Sequence, residues 1–157
     1  MKRAISVVAL VWFSLIFLYS AQAQTAAKVQ VLSTEVVDEL RSSITNETWT
    51  PADPSKNKGI TVSLRLRSGF AYKADDFALA FKSSDIEQKV KVIGKNASPP
   101  DGWLFGEQGA KWVSFTSDEG PPTIDEELLF LVPIEVKEVT LMYKNKAVGK
   151  PIAIKQD

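Results

Sequence analysis

Three acidic clusters are the densest candidates for chemistry in this 157-residue chain: Asp75-Asp76, Asp118-Glu119 and Asp125-Glu126-Glu127. Paired carboxylates can protonate a leaving group and activate water, as in glycoside hydrolysis, when a cleft holds them about 5–9.5 Å apart. Their oxygens are also the hard ligands that calcium selects, but no segment follows the complete Asp-x-Asx-x-Asx-Gly loop pattern. Asp118-Glu119-Gly120 supplies only a fragment of it. Solvated loop and edge charges are the plain alternative, because charged side chains are mostly exposed. Composition narrows the rest. With no His and no Cys, a Ser-His-Asp triad, a Cys nucleophile and disulfides are all excluded. No Gly-x-Gly-x-x-Gly or Gly-Lys-Ser run is present to cradle a phosphate. The 19 Lys+Arg balance the 19 Asp+Glu, so the chain lacks the basic excess that nucleic acid would need. These exclusions point away from an enzyme and call for no cofactor and no metal.

The aromatic residues carry more weight as a binding signal. Trp49 and Trp103 stand in loop-like surroundings, and Trp103-Leu104-Phe105 lies between Gly102 and Gly106 as an apolar tip. Exposed rings can stack on a sugar or fill a partner's pocket, and Trp is enriched among residues that dominate binding energy. The competing reading folds these rings back onto the core, since Trp is highly buried on average. Trp112 alternates with Val113 and Phe115, which points it away from their expected core face. Trp103, Phe105 and Trp112 are therefore the candidate binding residues. Arg65, Arg67, Lys89 and Lys91 resemble a basic stripe but read as solubility and edge-protection charges.

The elements that must position these residues are strands. Ile60, Val62, Leu64 and Leu66 alternate with Thr61, Ser63, Arg65 and Arg67, bracketed by Gly59 and Gly69 as turn residues. Val29 and Val31 suggest an earlier strand; Phe77 to Phe81, Lys89 to Ile93 and Lys111 to Ser117 suggest later ones. Leu128 to Val132 is apolar on both sides, as in a central strand covered on both faces, and Pro133 should end its ladder. Val139, Leu141 and Tyr143 alternate again before a hairpin tip at Lys144-Asn145-Lys146, and Val148, Ile152 and Ile154 suggest a return strand broken by Gly149 and Pro151. Thr34 to Ile44 fits a short helix or a strand with a bulge about equally. Three long loops are expected at 46–58, 94–109 and 116–123. About seven to eight short strands separated by turns predict an all-β antiparallel β-sandwich.

The order Asp75-Asp76-Phe77-x-Leu79, then Glu127 to Pro133, then Val139-x-Leu141-x-Tyr143 resembles the closing half of bacterial secreted immunoglobulin-like domains. That family has no assigned function and includes many lipoproteins. The resemblance covers about residues 59–155 and implies an immunoglobulin-like fold, with no catalytic residues to carry over. This chain lacks the Cys that lipoprotein members use for lipidation.

The N-terminus has the grammar of a secretory signal: Lys2 and Arg3, an apolar run from Ala4 to Leu18, then Ala21-Gln22-Ala23. That run is shorter than the ~20 residues a membrane-spanning helix needs. Residues 1–23 are expected to be removed, leaving 24–157 as one periplasmic or secreted domain with no membrane span. The sequons at Asn46 and Asn96 read as chance matches. The function these residues imply is a non-catalytic module presenting loop aromatics to an extracytoplasmic protein. A carbohydrate-binding module is the alternative and a small carboxylate-dependent hydrolase comes third.

Overall fold

Alternation of apolar and polar residues builds the molecule almost entirely from antiparallel strands. The structure, a computed structural model, describes residues 28–97, 100–106, 114–115 and 122–154. In chain order the strands are β1 (Val29–Val37), β2 (Leu40–Arg41), β3 (Thr48–Trp49), β4 (Asn57–Arg67), β5 (Ala71–Tyr72), β6 (Phe77–Ser83), β7 (Ile86–Lys91) and β8 (Gly94–Asn96). They continue as β9 (Trp103–Phe105), β10 (Ser114–Phe115), β11 (Thr123–Pro133), β12 (Glu138–Tyr143), β13 (Lys146–Ala147) and β14 (Ile152–Ala153), and a 3-10 turn at Ala74–Asp76 precedes β6. One sheet runs β1-β4-β11-β8-β9; a second runs β13-β12-β6-β7, with β14 also on β12. The segments are more numerous and shorter than seven or eight, because β13 and β14 are separated around Gly149 and Pro151 and β2–β3 forms a hairpin of its own.

The two sheets close over one core. Ile60, Val62, Leu64 and Leu66 of β4 and Leu128, Phe130 and Val132 of β11 face Phe77, Leu79 and Phe81 of β6 and Val139, Leu141 and Tyr143 of β12. Tyr72, Phe77 and Tyr143 cluster within it, the last two rings 5.0 Å apart. The Tyr72 hydroxyl donates to the Arg67 carbonyl at 2.9 Å, so its burial leaves no polar atom stranded. Pro133 is the last residue of β11, where its missing N–H costs no further ladder bond. Lys144 and Asn145 take positive φ and join Tyr143 to Lys146 in a tight hairpin, as their sequence suggests.

One open alternative is decided and two expectations are corrected. Of the two readings of Thr34 to Ile44, the strand holds and the helix does not: β1 continues to Val37, with its bulge earlier, between Val31 and Ser33, since pairing with β4 offers Val36 and Val37 the extended backbone that β-branched residues favour. Gly69 is a turn residue at φ 82, but Gly59 is not a turn; it is buried inside β4, paired with Val37 and Leu131. The expected loop at 94–109 contains the β8–β9 pair, and that at 46–58 contains β3 and the start of β4. Residues 1–23 lie outside the described residues. Among the described residues, no helix is long and apolar enough to cross a membrane.

One charge sits in the wall of the core. Lys58 is 6% exposed and its Nζ donates to the Val136 carbonyl at 2.7 Å. Burial lowers its pKa from the usual 10.5, and Glu135 opposes this weakly. The folded form therefore releases its proton before the unfolded form does, so the unfolded chain binds more protons between the two values and stability rises with pH there. Urea denaturation at a series of pH values below the usual lysine value of 10.5 should show this rise. Lys58→Met should flatten it, and an unchanged slope would mean that another group titrates.

Candidate functional site

The face of the first sheet that points away from the core is set by the same alternation that buries Ile60 and Phe130. It carries Gly59, Thr61, Ser63 and Arg65 on β4, and Leu129, Glu127 and Asp125 opposite them on β11. Beyond these lie Gly94 and Asn96 on β8, then Phe105 and Trp103 opposite them on β9. Such a face would ordinarily meet water. Here Leu129 is fully buried, Asn96 is 1% exposed and Trp103 only 3%. A second, smaller apolar layer covers them.

The cover is the β2–β3 hairpin. Ser42 bridges to Gly102, its N–H donates to the Glu47 carbonyl, and the Ser43 N–H donates to the Asp101 carbonyl at 2.7 Å. The Thr45 N–H donates to the Ser42 hydroxyl at 3.1 Å, which gives that fully buried side chain a partner. Trp49, the last residue of β3, lays its ring over Gly59: a Cβ there would stand 2.8 Å from two of its ring carbons. The Trp49 ring lies 6.5 Å from Phe105 at 25°, and Phe105 lies 6.2 Å from Trp103 at 3°. Three near-parallel rings thus run across one face, with Trp103 buried and Trp49 and Phe105 half-buried.

This corrects the picture of an apolar tip. Trp103 is a strand residue paired with Asn96, and its ring is seated by the β8–β9 register instead of projecting into solvent. Phe105, two residues along on the same face, is partly exposed, as is Trp49. Trp112 lies outside the described residues. The sequence carried no clear signal for the Trp49 seat, since Gly59 stands at the start of the alternating run, where a turn is the ordinary reading.

Polar groups flank the rings. The Asn96 amide donates to the Glu127 carboxylate at 2.8 Å and to the Pro100 carbonyl at 2.9 Å, and the Ser63 hydroxyl donates to Glu127 at 3.4 Å. The Asn96 amide is thus buried and engaged by both partners. Arg65 grips Asp125 with two bonds of 2.8 Å. Arg65 holds the Asp125 carboxyl below its ordinary value and is itself held above its own by the same pair. Both side chains are about half exposed, so solvent screens the bridge and it adds little to stability.

The two described acidic clusters do not converge. Asp75 and Asp76 pair with Lys91 and Lys144, each at 3.9 Å, beside the second sheet, whereas Asp125 and Glu127 lie on the outer face of the first. Asp118 and Glu119 lie outside the described residues. Among the described residues, no three acidic side chains could hold a metal ion. The basic stripe is divided as well, with Arg65 and Arg67 on β4 and Lys89 and Lys91 on β7 of the other sheet. Comparison with protein-family models, with curated proteins and with solved structures finds no match for the chain.

Proposed function

We propose that this chain is a non-catalytic, extracytoplasmic binding module on an immunoglobulin-like frame, engaging a protein partner through the half-exposed rings of Phe105 and Trp49. The frame is supported by strand order. The series β1-β4-β11-β8 follows the A-B-E-D sheet of an immunoglobulin domain, and β13-β12-β6-β7 follows G-F-C-C′, with β9 added beyond D. Export is supported by Lys2-Arg3, the apolar run and Ala21-Gln22-Ala23. The non-catalytic reading rests on a sequence without His or Cys and on carboxylates dispersed over separate surfaces.

The observation that carries the site is the aromatic row itself. Phe105 and Trp49 are each partly exposed, while Trp103, stacked on Phe105, is buried. Rings immobilised in this way lose little entropy on binding, the property of anchor residues at interfaces. The near-parallel arrangement also favours a second reading, stacking against a glycan, because sugar faces need aromatic planes held on one side.

Photo-crosslinking in cells tests both, with a reactive side chain replacing Phe105 and a control replacing Lys91 on the second sheet. A discrete protein adduct from position 105 alone is the expected result. Glycan adducts would favour the second reading, and no adduct beyond the control would remove the site.

A further inference from the structure

Three edges of the two sheets are short, charged or broken by proline; the fourth, β1, is long, and its one protective irregularity is the bulge between Val31 and Ser33. β7 alternates charges, Glu87, Lys89 and Lys91, all exposed and ion-paired. β9 is three residues long, and β13 and β14 are two each, separated around Gly149 at φ 74 and Pro151. Short edges, charges and proline are the usual protections against edge-to-edge association. β1 runs nine residues, Val-Gln-Val-Leu-Ser-Thr-Glu-Val-Val, without Lys, Arg or Pro, and among the described residues it is paired only with β4. Two of the large apolar residues exposed on the molecule, Leu32 and Val36, lie in it, each 41% exposed.

We propose that β1 pairs with β1 of a second copy of this chain, antiparallel about a two-fold axis at Thr34. The sequence is symmetric in character about that residue: Val31-Leu32, then Ser33-Thr34-Glu35, then Val36-Val37. A two-fold at Thr34 sets Leu32, the extra residue of the β1 bulge, toward Val36 of the second copy, twice. It sets Glu35 opposite Ser33, so no like charges meet. The open backbone edge of one copy supplies the donors and acceptors that the other lacks, as a self-complementary two-fold interface requires. Beside the edge, an open groove of about 480 Å³ runs between β1 and the β13–β14 segment, lined by Val29, Val31, Leu32, Val148 and Ile152. Pairing would cover its β1 wall. The outer aromatic face is separate from this edge, so the proposal stands or falls independently of the binding reading.

The register is tested by charge. Light scattering over a concentration series should find the wild-type chain dimeric. Leu32→Lys with Val36→Lys places Lys opposite Lys across the axis and should leave monomer, whereas Leu32→Lys with Val36→Glu places opposite charges there and should restore the dimer. Because the chain has no Cys, Thr34→Cys offers a single thiol. Facing residues of an antiparallel pair stand about 4.5–5.5 Å apart at Cα, within the about 4.4–6.8 Å a disulfide spans. Oxidation should therefore link Thr34→Cys into a dimer faster than Lys91→Cys, a comparison that holds even where the lysine pair impairs folding. A monomer at every concentration would overturn the proposal. So would a dimer indifferent to both charge pairs, or equal linking at the two cysteine positions.

Discussion

Trp103→Ala should lower the stability of the fold by about 3–5 kcal/mol, the range for truncating a buried Trp. For a chain of this length that is a fall of roughly 10–20 °C in melting temperature. The reason is position. Trp103 is 3% exposed on the outer face of its sheet, stacked on Phe105 near the Ser42–Gly102 bridge that ties the β2–β3 hairpin to the turn before β9. Removing the ring opens a cavity beside Phe105 and loosens the hairpin. Phe105→Ala, at a half-buried ring, should cost less stability than Trp103→Ala while removing more of the binding. Urea denaturation of the two variants separates support from contact. A Trp103→Ala midpoint close to wild type would show that the second apolar layer contributes little and that the ring is not held as described.

The main core was legible because it follows from local alternation. Ile60 to Leu66, Phe77 to Phe81 and Val139 to Tyr143 each announce a strand and a buried face, and Pro133 and Lys144-Asn145 announce ends and turns. The second layer was only half legible. Leu128 to Val132 showed that β11 must be covered on both faces, which the burial of Leu129 bears out. What covers it depends on pairings between distant segments: Asn96 with Trp103, Ser42 with Gly102, and Trp49 over Gly59. Alternation assigns a residue to a face but does not say whether that face stays open, so Trp103 looked like a tip when the β8–β9 register turns it inward. The short Leu40–Arg41 and Thr48–Trp49 strands carry no periodicity of their own. Their place is fixed by tertiary contacts, which override weak local preference.

Gly59→Ala should destabilise the fold by about 1–3 kcal/mol, the usual range for forcing added volume into a filled site. Its Cβ would stand 2.7 Å from the Val37 carbonyl oxygen and 2.8 Å from Trp49 ring carbons. The ring can swing away, but the carbonyl belongs to backbone paired across the same ladder, so relief requires β1 and β4 to separate at Val37. The cost therefore has two sources that a double-mutant cycle can divide. In a Trp49→Ala background the ring clash is gone and Gly59→Ala should cost less, the difference measuring how firmly the hairpin is seated. Amide exchange should report the same coupling locally, with protection falling across Leu40–Trp49 more than across β6 and β12. Additive effects with unchanged exchange would mean that Trp49 does not rest on Gly59. The aromatic row would then lose the backbone seat that holds its exposed end in place.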